Sequence, residues 1–541
     1  MNGPSSPASP SLPNGRVTGL VGVLCALAVL MSTFALVPDY WRERGFPLDD
    51  AWIHAVYARS VARGEGLSYN PGVPATGETS PLWAIVTSVA YLGEPGVERS
   101  VLVTRLLGFL LHALTAAGCY LMFRDAGRRW AASAALLVLV SPHLVAASIS
   151  GMEVPLATLV AVGCVLVLLG QRPGLYALCG AAGLLARPEG GLFVFLLPLV
   201  VRPQPGLRPL VRRWVEAGVG VALAGGAWAA WNLHASGRPL PGTFYAKVTI
   251  HPDEPVFLSM LRAAALGLWK LLPELALPWP VLTVLAVLAL RAAVYRRSMT
   301  TPERRAAGLL AVGLVFVAVS MALLRSAISQ TFYLQRYVLP ALPFILAPLP
   351  ILLGAWMEAR LARHGPRLPA LVAVALPLVV ATGLVPRLER LENDAHNIDD
   401  LQVREGLFLA RASPEDVVWV LDAGASRFFG RAFVVDLLAL NSPRMLDDDA
   451  QAYLAEHPPR FLEWTRGWAA IRPDTPSGVR EAATFQTTTP YTVSAAKTMD
   501  TRMLLECVPG SGGSYTRKRN TWRYECAAPA PAPRGLTPAG P

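Results

Sequence analysis

The sequence predicts a polytopic α-helical membrane protein of about eleven spans, ending in a small extracytoplasmic α/β domain. Hydrophobic residues make up 53% of the 541 and charged residues only 16%, against roughly 25% charged in an average soluble chain. Apolar runs of about 17 to 22 residues recur from Val17 to about Leu384, and each is long enough for a hydrocarbon core of about 30 Å. Beyond Arg387 no such run occurs and charge density rises. A soluble enzyme, a disordered chain and a nucleic-acid binder are thereby excluded as starting points. The net charge of +11 comes largely from arginine clusters beside the spans, so it implies no nucleic-acid partner.

Residues 1–15 are rich in Pro, Ser and Asn and read as a disordered tail, with 16–386 as the transmembrane domain. The first apolar run, Val17–Val37, is long and is followed by at least ten more, so it reads as a retained span rather than a signal peptide. Spans fall near 18–37, 101–122, 131–148, 153–169, 174–186, 190–201, 214–232, 275–292, 306–323, 337–355 and 369–385. The fifth and sixth are short and are broken by Arg187-Pro188-Glu189-Gly190, a pattern tolerated where a helix lines a cavity. Residues 257–274 read either as a further span or as a surface helix. Arginines crowd 123–130, 170–173, 202–213, 293–305 and 356–368. The positive-inside rule therefore puts these loops and the amino terminus in the cytoplasm, with the carboxyl-terminal domain outside a bacterial cytoplasmic membrane.

That orientation collects the ionisable motifs on the outer face. The long loop 38–100 holds Leu48-Asp49-Asp50-Ala51, a helical pattern from Trp52 to Ala62 read as lying along the membrane surface, and Thr76-Gly77-Glu78-Thr79-Ser80. The same side receives Gly151-Met152-Glu153, Arg187-Pro188-Glu189, Phe244-Tyr245-Ala246-Lys247 and Arg336-Tyr337. Ionisable groups at membrane depth are expensive and usually line a polar path or cavity. Asp49-Asp50 can cap the helix that follows. It can also supply a general base with a neighbour that orients it or binds a metal. Glu153 at the mouth of a span needs a cation, a hydroxyl or a substrate. Arg187 and Glu189 can pair with each other. Arg187, Lys247 and Arg336 are the strong cations of these motifs, and a phosphate-bearing substrate needs one or two of them.

The extracytoplasmic domain is expected over 387–528, with strands at Val417–Leu421 and Phe433–Leu438 and more β structure over 484–508, followed by a disordered tail, 529–541. Of six cysteines, Cys25, Cys119, Cys164 and Cys179 fall in spans, whereas Cys507 and Cys526 lie in this domain, where an oxidising exterior favours a disulfide. No Cys/His set has zinc spacing and no phosphate-gripping glycine loop is present.

The stretches Leu48-Asp49-Asp50-Ala51-Trp52-Ile53, Gly64–Gly72 and Gly77-Glu78-Thr79-Ser80-Pro81-Leu82-Trp83 resemble the signature of GT-C integral-membrane glycosyltransferases. The branch they most resemble contains the mycobacterial terminal β-(1→2)-arabinofuranosyltransferase and related bacterial membrane proteins. Gly151-Met152-Glu153, Arg187-Pro188-Glu189-Gly190, Pro239–Lys247, Arg336-Tyr337, Asp422-Ala423-Gly424 and Asp436–Leu440 look like further motifs of that family, so the likeness runs in patches from about 46 to 442. Two departures stand out. Val56-Tyr57 replaces an Arg-Tyr pair, and Ser326–Gln330 lacks a carboxylate that relatives often carry.

The resemblance implies a GT-C fold and inverting transfer of a sugar from a polyprenyl-phosphate-linked donor to a glycan, lipid or protein acceptor at the outer face. Asp49 is then the expected base, with Asp50 as partner or substitute. Arg336, Lys247 and Arg187 are the expected phosphate ligands. Glu153, Glu189, Glu78, Tyr245 and Tyr337 take sugar-positioning or structural roles. No cofactor is required; a divalent cation held by Asp49, Asp50 and Glu153 is an option. A transporter or flippase is the competing reading, but it calls for internal repeats and midplane charges, and the sequence has neither. A glycan-binding or assembly module on an inactive scaffold is the third.

Overall fold

The computed structural model describes residues 15–172, 174–201, 206–248, 256–276, 299–324, 335–361, 367–465, 477–489, 500–517 and 520–526. The expected tails other than Gly15, nearly all of the expected span 275–292, the stretch Ser326–Gln330 and the side chain of Lys247 lie outside the described residues.

The chain is a multi-pass helical membrane protein, but the count of about eleven spans is overturned. Among the described residues five helices are long and apolar enough to cross a membrane: Gly19–Leu36, Val97–Ala126, Thr301–Leu323, Leu339–Glu358 and Arg367–Leu409. A sixth arises if Arg128–Leu139 and Pro142–Ser148, bent by 56°, form one span. Val154–Gly170 has 17 residues, Leu175–Ala186 has 12 and Gly190–Val200 has 11. At 1.5 Å per residue the last two reach only about 18 Å and 17 Å. Leu207–Ser236 has the length, with 30 residues, but its first turns carry Arg208, Arg212, Arg213 and Glu216. Apolar runs record what a side chain packs against, and much of that partner here is protein. Phe193, Phe316 and Phe344, from three helices, stack in one core.

Carboxyl-terminal to the bundle, a stem formed by Leu384–Ile398 and Arg404–Leu409 leads into a mixed sheet. A hairpin of β1 (Ser68–Asn70) and β2 (Val73–Pro74) lies in the loop 38–100. The sheet uses β3 (Val417–Val420), β4 (Phe433–Asp436), β5 (Phe461–Thr465), β6 (Val479–Gln486) and β7 (Thr501–Cys507) in the order β4-β3-β5-β7-β6. The pairs β3–β4 and β3–β5 are parallel, while β5–β7 and β6–β7 are antiparallel. A separate hairpin of β8 (Gly512–Arg517) and β9 (Asn520–Glu525) follows, and Cys507 is disulfide-bonded to Cys526 at its edge.

The loop 38–100 is the mortar between bundle and sheet. Its helix Asp49–Ala62 is enclosed by protein on every side rather than amphipathic. Ala51 to Ala58 are all buried, because Trp52 packs against Phe46 on one side and against Phe428 and Phe429 of the outer domain on the other. Arg105, inside the long helix Val97–Phe123, donates to the carbonyls of Tyr40, Arg44 and Gly45 and so pins the chain just before Asp49. Asn70 exchanges two hydrogen bonds with the backbone of Val434, at 2.9 and 3.0 Å. The Tyr57 hydroxyl donates to Asn441 at 2.9 Å.

Candidate active site

The two adjacent aspartates at the start of the helix Asp49–Ala62 do different things. Successive helical side chains diverge by about 100°, so Asp49 and Asp50 face different neighbours. Asp49 does not cap its own helix, whose preceding residue is Leu48. Instead its carboxylate accepts the backbone N–H groups of Gly424 and Ala425, at 2.6 and 2.8 Å, at the start of the outer-domain helix Ala425–Phe429. Gly424 is required there, since a Cβ would sit 2.0 Å from the Asp49 carbonyl oxygen. Burial and the nearby Asp422 carboxylate push Asp49 up to about 7, against the opposing pull of these amides and of Arg502.

Asp50 turns to the bundle, where its carboxylate lies 3.1 Å from the Arg336 guanidinium. Arg336 also donates to the Tyr337 hydroxyl at 3.2 Å. Two cations lie close to the Tyr337 ring, the Arg336 guanidinium 5.1 Å and the Arg187 guanidinium 4.9 Å from its centroid. Arg187 is paired with Glu153 and, at 3.4 Å, with Glu189. The cluster then continues through a residue that the sequence motifs did not single out. His54 sits with Nδ1 3.0 Å from Glu78 and Nε2 3.2 Å from Glu153. Burial alone would lower the His54 pKa, but the two carboxylates outweigh it and raise it to about 10, so both ring nitrogens donate. The signal for His54 was present: it follows Asp50 by four residues, which places both on one face of the helix.

The surrounding backbone is locked around this chain of charges. Glu78 also accepts the Ser80 N–H at 2.6 Å, and the Ser80 hydroxyl donates to the carbonyl of Ala186, next to Arg187. The Trp83 indole donates to the Gly151 carbonyl at 3.0 Å. Gly151 itself has φ +81° and stands where a Cβ would collide with the Phe46 ring at 2.5 Å. Four motifs distant in sequence therefore converge: Asp50 with His54 and Glu78, Glu153, Arg187 with Glu189, and Arg336 with Tyr337. Tyr245 is engaged elsewhere, under the Arg238 guanidinium, which pairs with Asp447 at 2.6 Å. Lys247 lies on the helix Gly242–Val248.

Behind Asp49 lies a second buried charge knot that sequence reading also missed. Arg502, fully buried, is paired with Glu405, with Asp422 at 2.9 Å and with Glu463 at 2.7 Å. Burial raises Glu463 to about 8 despite Arg502. Among the described residues no three His, Cys, Asp or Glu side chains are grouped to hold a metal ion. Asp49 is committed to amides, Asp50 to Arg336 and Glu153 to Arg187 and His54. Each residue named for a divalent cation therefore has protein partners in this arrangement.

Comparisons with known proteins now locate the fold. Residues 396–501 match a family described as a domain of unknown function, DUF8728. No curated protein matches in sequence. The chain is similar in structure to ArnT from Cupriavidus metallidurans, solved bound to undecaprenyl phosphate. The TM-score is 0.52 at 16% identity, over 91% of this chain and 98% of that one. It is also similar to the oligosaccharyltransferase of Archaeoglobus fulgidus, at TM-score 0.45 and 12% identity over 84% and 70% of the two chains. A third similarity is to the arabinofuranosyltransferase AftD from mycobacteria, at 0.43 and 16%, over 91% of this chain and 40% of that one. The chain thus shares the fold of ArnT. This likeness does not single out the arabinofuranosyltransferase branch.

Proposed function

We propose that the protein transfers a sugar from a polyprenyl-phosphate donor to an acceptor hydroxyl at the outer face of the membrane, with Asp50 as the general base. The observation that carries this reading is the meeting of Asp50 with Arg336, with Arg187 close to the same Tyr337 ring. Two guanidiniums at one aromatic ring suit the phosphodiester anion of such a donor, and suit still better the polyprenyl phosphate dianion that forms as the sugar leaves. ArnT, which shares the fold, was solved with undecaprenyl phosphate bound.

In this reading the donor phosphate takes over the Arg336 N–H groups that now meet Asp50, leaving an Asp50 oxygen open to the acceptor. Asp50 removes the acceptor O–H proton as that oxygen attacks the anomeric carbon. The bond from that carbon to the phosphate oxygen breaks, and its electron pair leaves with the polyprenyl phosphate. Arg336 and Arg187 stabilise the charge gathering on the phosphate, so no strong acid is needed. Single displacement inverts the anomeric carbon. His54, Glu78, Glu153 and Glu189 hold Arg187 in place. Lys247 remains a candidate third phosphate ligand, a divalent cation remains an option, and the acceptor is a cell-envelope glycan, lipid or protein.

The test is release of polyprenyl phosphate by the purified full chain from a panel of short-chain polyprenyl-phosphate sugars. D50N should lose about 10²- to 10⁴-fold in turnover, the usual worth of a general base, and R336A should be comparably impaired. Full turnover in D50N would refute the assignment.

A further inference from the structure

At the other end of the bundle the structure holds a basic cleft that the transfer reaction does not use. It has a volume of about 300 Å³ and is lined by Arg208, Arg212 and Arg213 together with Leu168, Pro198 and Leu210. Its position follows from the helices that frame it. Val154–Gly170 starts beside Glu153 in the candidate active site and reaches the cleft at Leu168. Leu207–Ser236 starts in the cleft, and its far end meets the outer loop, where Trp231 donates to the Ala75 carbonyl. Thirty residues of helix separate the two ends by about 45 Å, more than a hydrocarbon core of about 30 Å. Cleft and active site thus lie at opposite ends of the helix bundle.

The charge is not self-cancelled. Glu216 pairs with Arg212 at 2.9 Å and with Arg213 at 2.7 Å, so three arginines meet one glutamate and the cleft keeps a net charge of +2. Beside it runs an apolar ridge of the same helix. Leu207, Val211, Val215, Val219 and Leu223 recur every fourth residue, and all are exposed, Leu207 at 70% and Leu223 at 72%. A cationic cleft alone suits any phosphate. A cationic cleft that opens onto a lipid-facing ridge suits a phosphate carrying acyl chains. We infer that this cleft binds the headgroup of an anionic phospholipid, with Arg208 and Arg212 on the phosphate and the acyl chains along the ridge. The site is separate from the donor site and requires no sugar.

The experiment uses the full chain, purified in neutral detergent and freed of lipid, titrated with phosphatidylglycerol, phosphatidylcholine or inorganic phosphate, and read by native mass spectrometry. Phosphatidylglycerol should bind in preference to phosphatidylcholine, weaken with added salt, and lose roughly tenfold or more in affinity in R208Q/R212Q. R208K/R212K should retain most of the binding and controls for folding. Equal binding of the two lipids, or a salt-independent wild type, would overturn the inference. Displacement of phosphatidylglycerol by millimolar inorganic phosphate would assign the cleft to a soluble anion and overturn it equally.

Discussion

Asp49 and Asp50 are neighbours in sequence with opposite obligations. One carboxylate is held by two backbone amides of the outer domain and the other by Arg336. D49N keeps one side-chain oxygen for an amide but cannot serve both, so we expect a loss of about 1 kcal/mol in stability with turnover within roughly tenfold of wild type. Thermal unfolding together with polyprenyl phosphate release distinguishes this from the D50N phenotype. His54 carries a second prediction. Its pKa is raised from 6.5 to about 10 by Glu78 and Glu153 in spite of burial, so its contribution is complete below the unfolded value and is lost as pH rises through about 10. H54Q leaves two buried carboxylates without their shared cation and should cost about 3–5 kcal/mol. Measured by thermal unfolding, the gap from wild type should be widest near pH 6 and narrow toward pH 10.

At the scale of elements, the outer domain clasps the loop 38–100 through a knot of acids around one arginine. Asp49, Asp422, Glu405 and Glu463 share Arg502. Burial raises Asp49 to about 7 and Glu463 to about 8, above the usual carboxylate value of about 4. An acid with a raised folded pKa holds its proton more tightly when folded. Stability should therefore fall as pH rises from about 4 to about 8 and flatten beyond. E463Q, followed by thermal unfolding across that interval, should show a shallower fall. R502M strands the acids and should unfold the outer domain. The link from Cys507 to Cys526, 19 residues apart, should contribute about 3 kcal/mol, to be read as a lower unfolding midpoint after reduction.

For the molecule as a whole, the cleft at Arg208 and the loop near Glu94 are expected at opposite membrane surfaces. Single cysteines placed by Glu94→Cys and Arg208→Cys, with the four unpaired cysteines replaced, should react with an impermeant thiol reagent from opposite sides of sealed vesicles. Labelling of both from one side would contradict the arrangement. Composition alone determined that this is a membrane protein of packed helices with a charged domain at its carboxyl end, because burying apolar side chains is a property of the residues themselves. The motif residues Asp50, Glu153, Arg187 and Arg336 stood out because charge at membrane depth has to be accounted for. Only the tertiary structure decided how many apolar helices are long enough to cross, since lipid and protein interior favour the same side chains and a run such as Leu175–Ala186 reads alike in either. It alone also separated the tasks of Asp49 and Asp50 and drew His54 between Glu78 and Glu153. Which carboxylate meets an amide, a guanidinium or an imidazole depends on directions in space that adjacent positions in a chain do not encode.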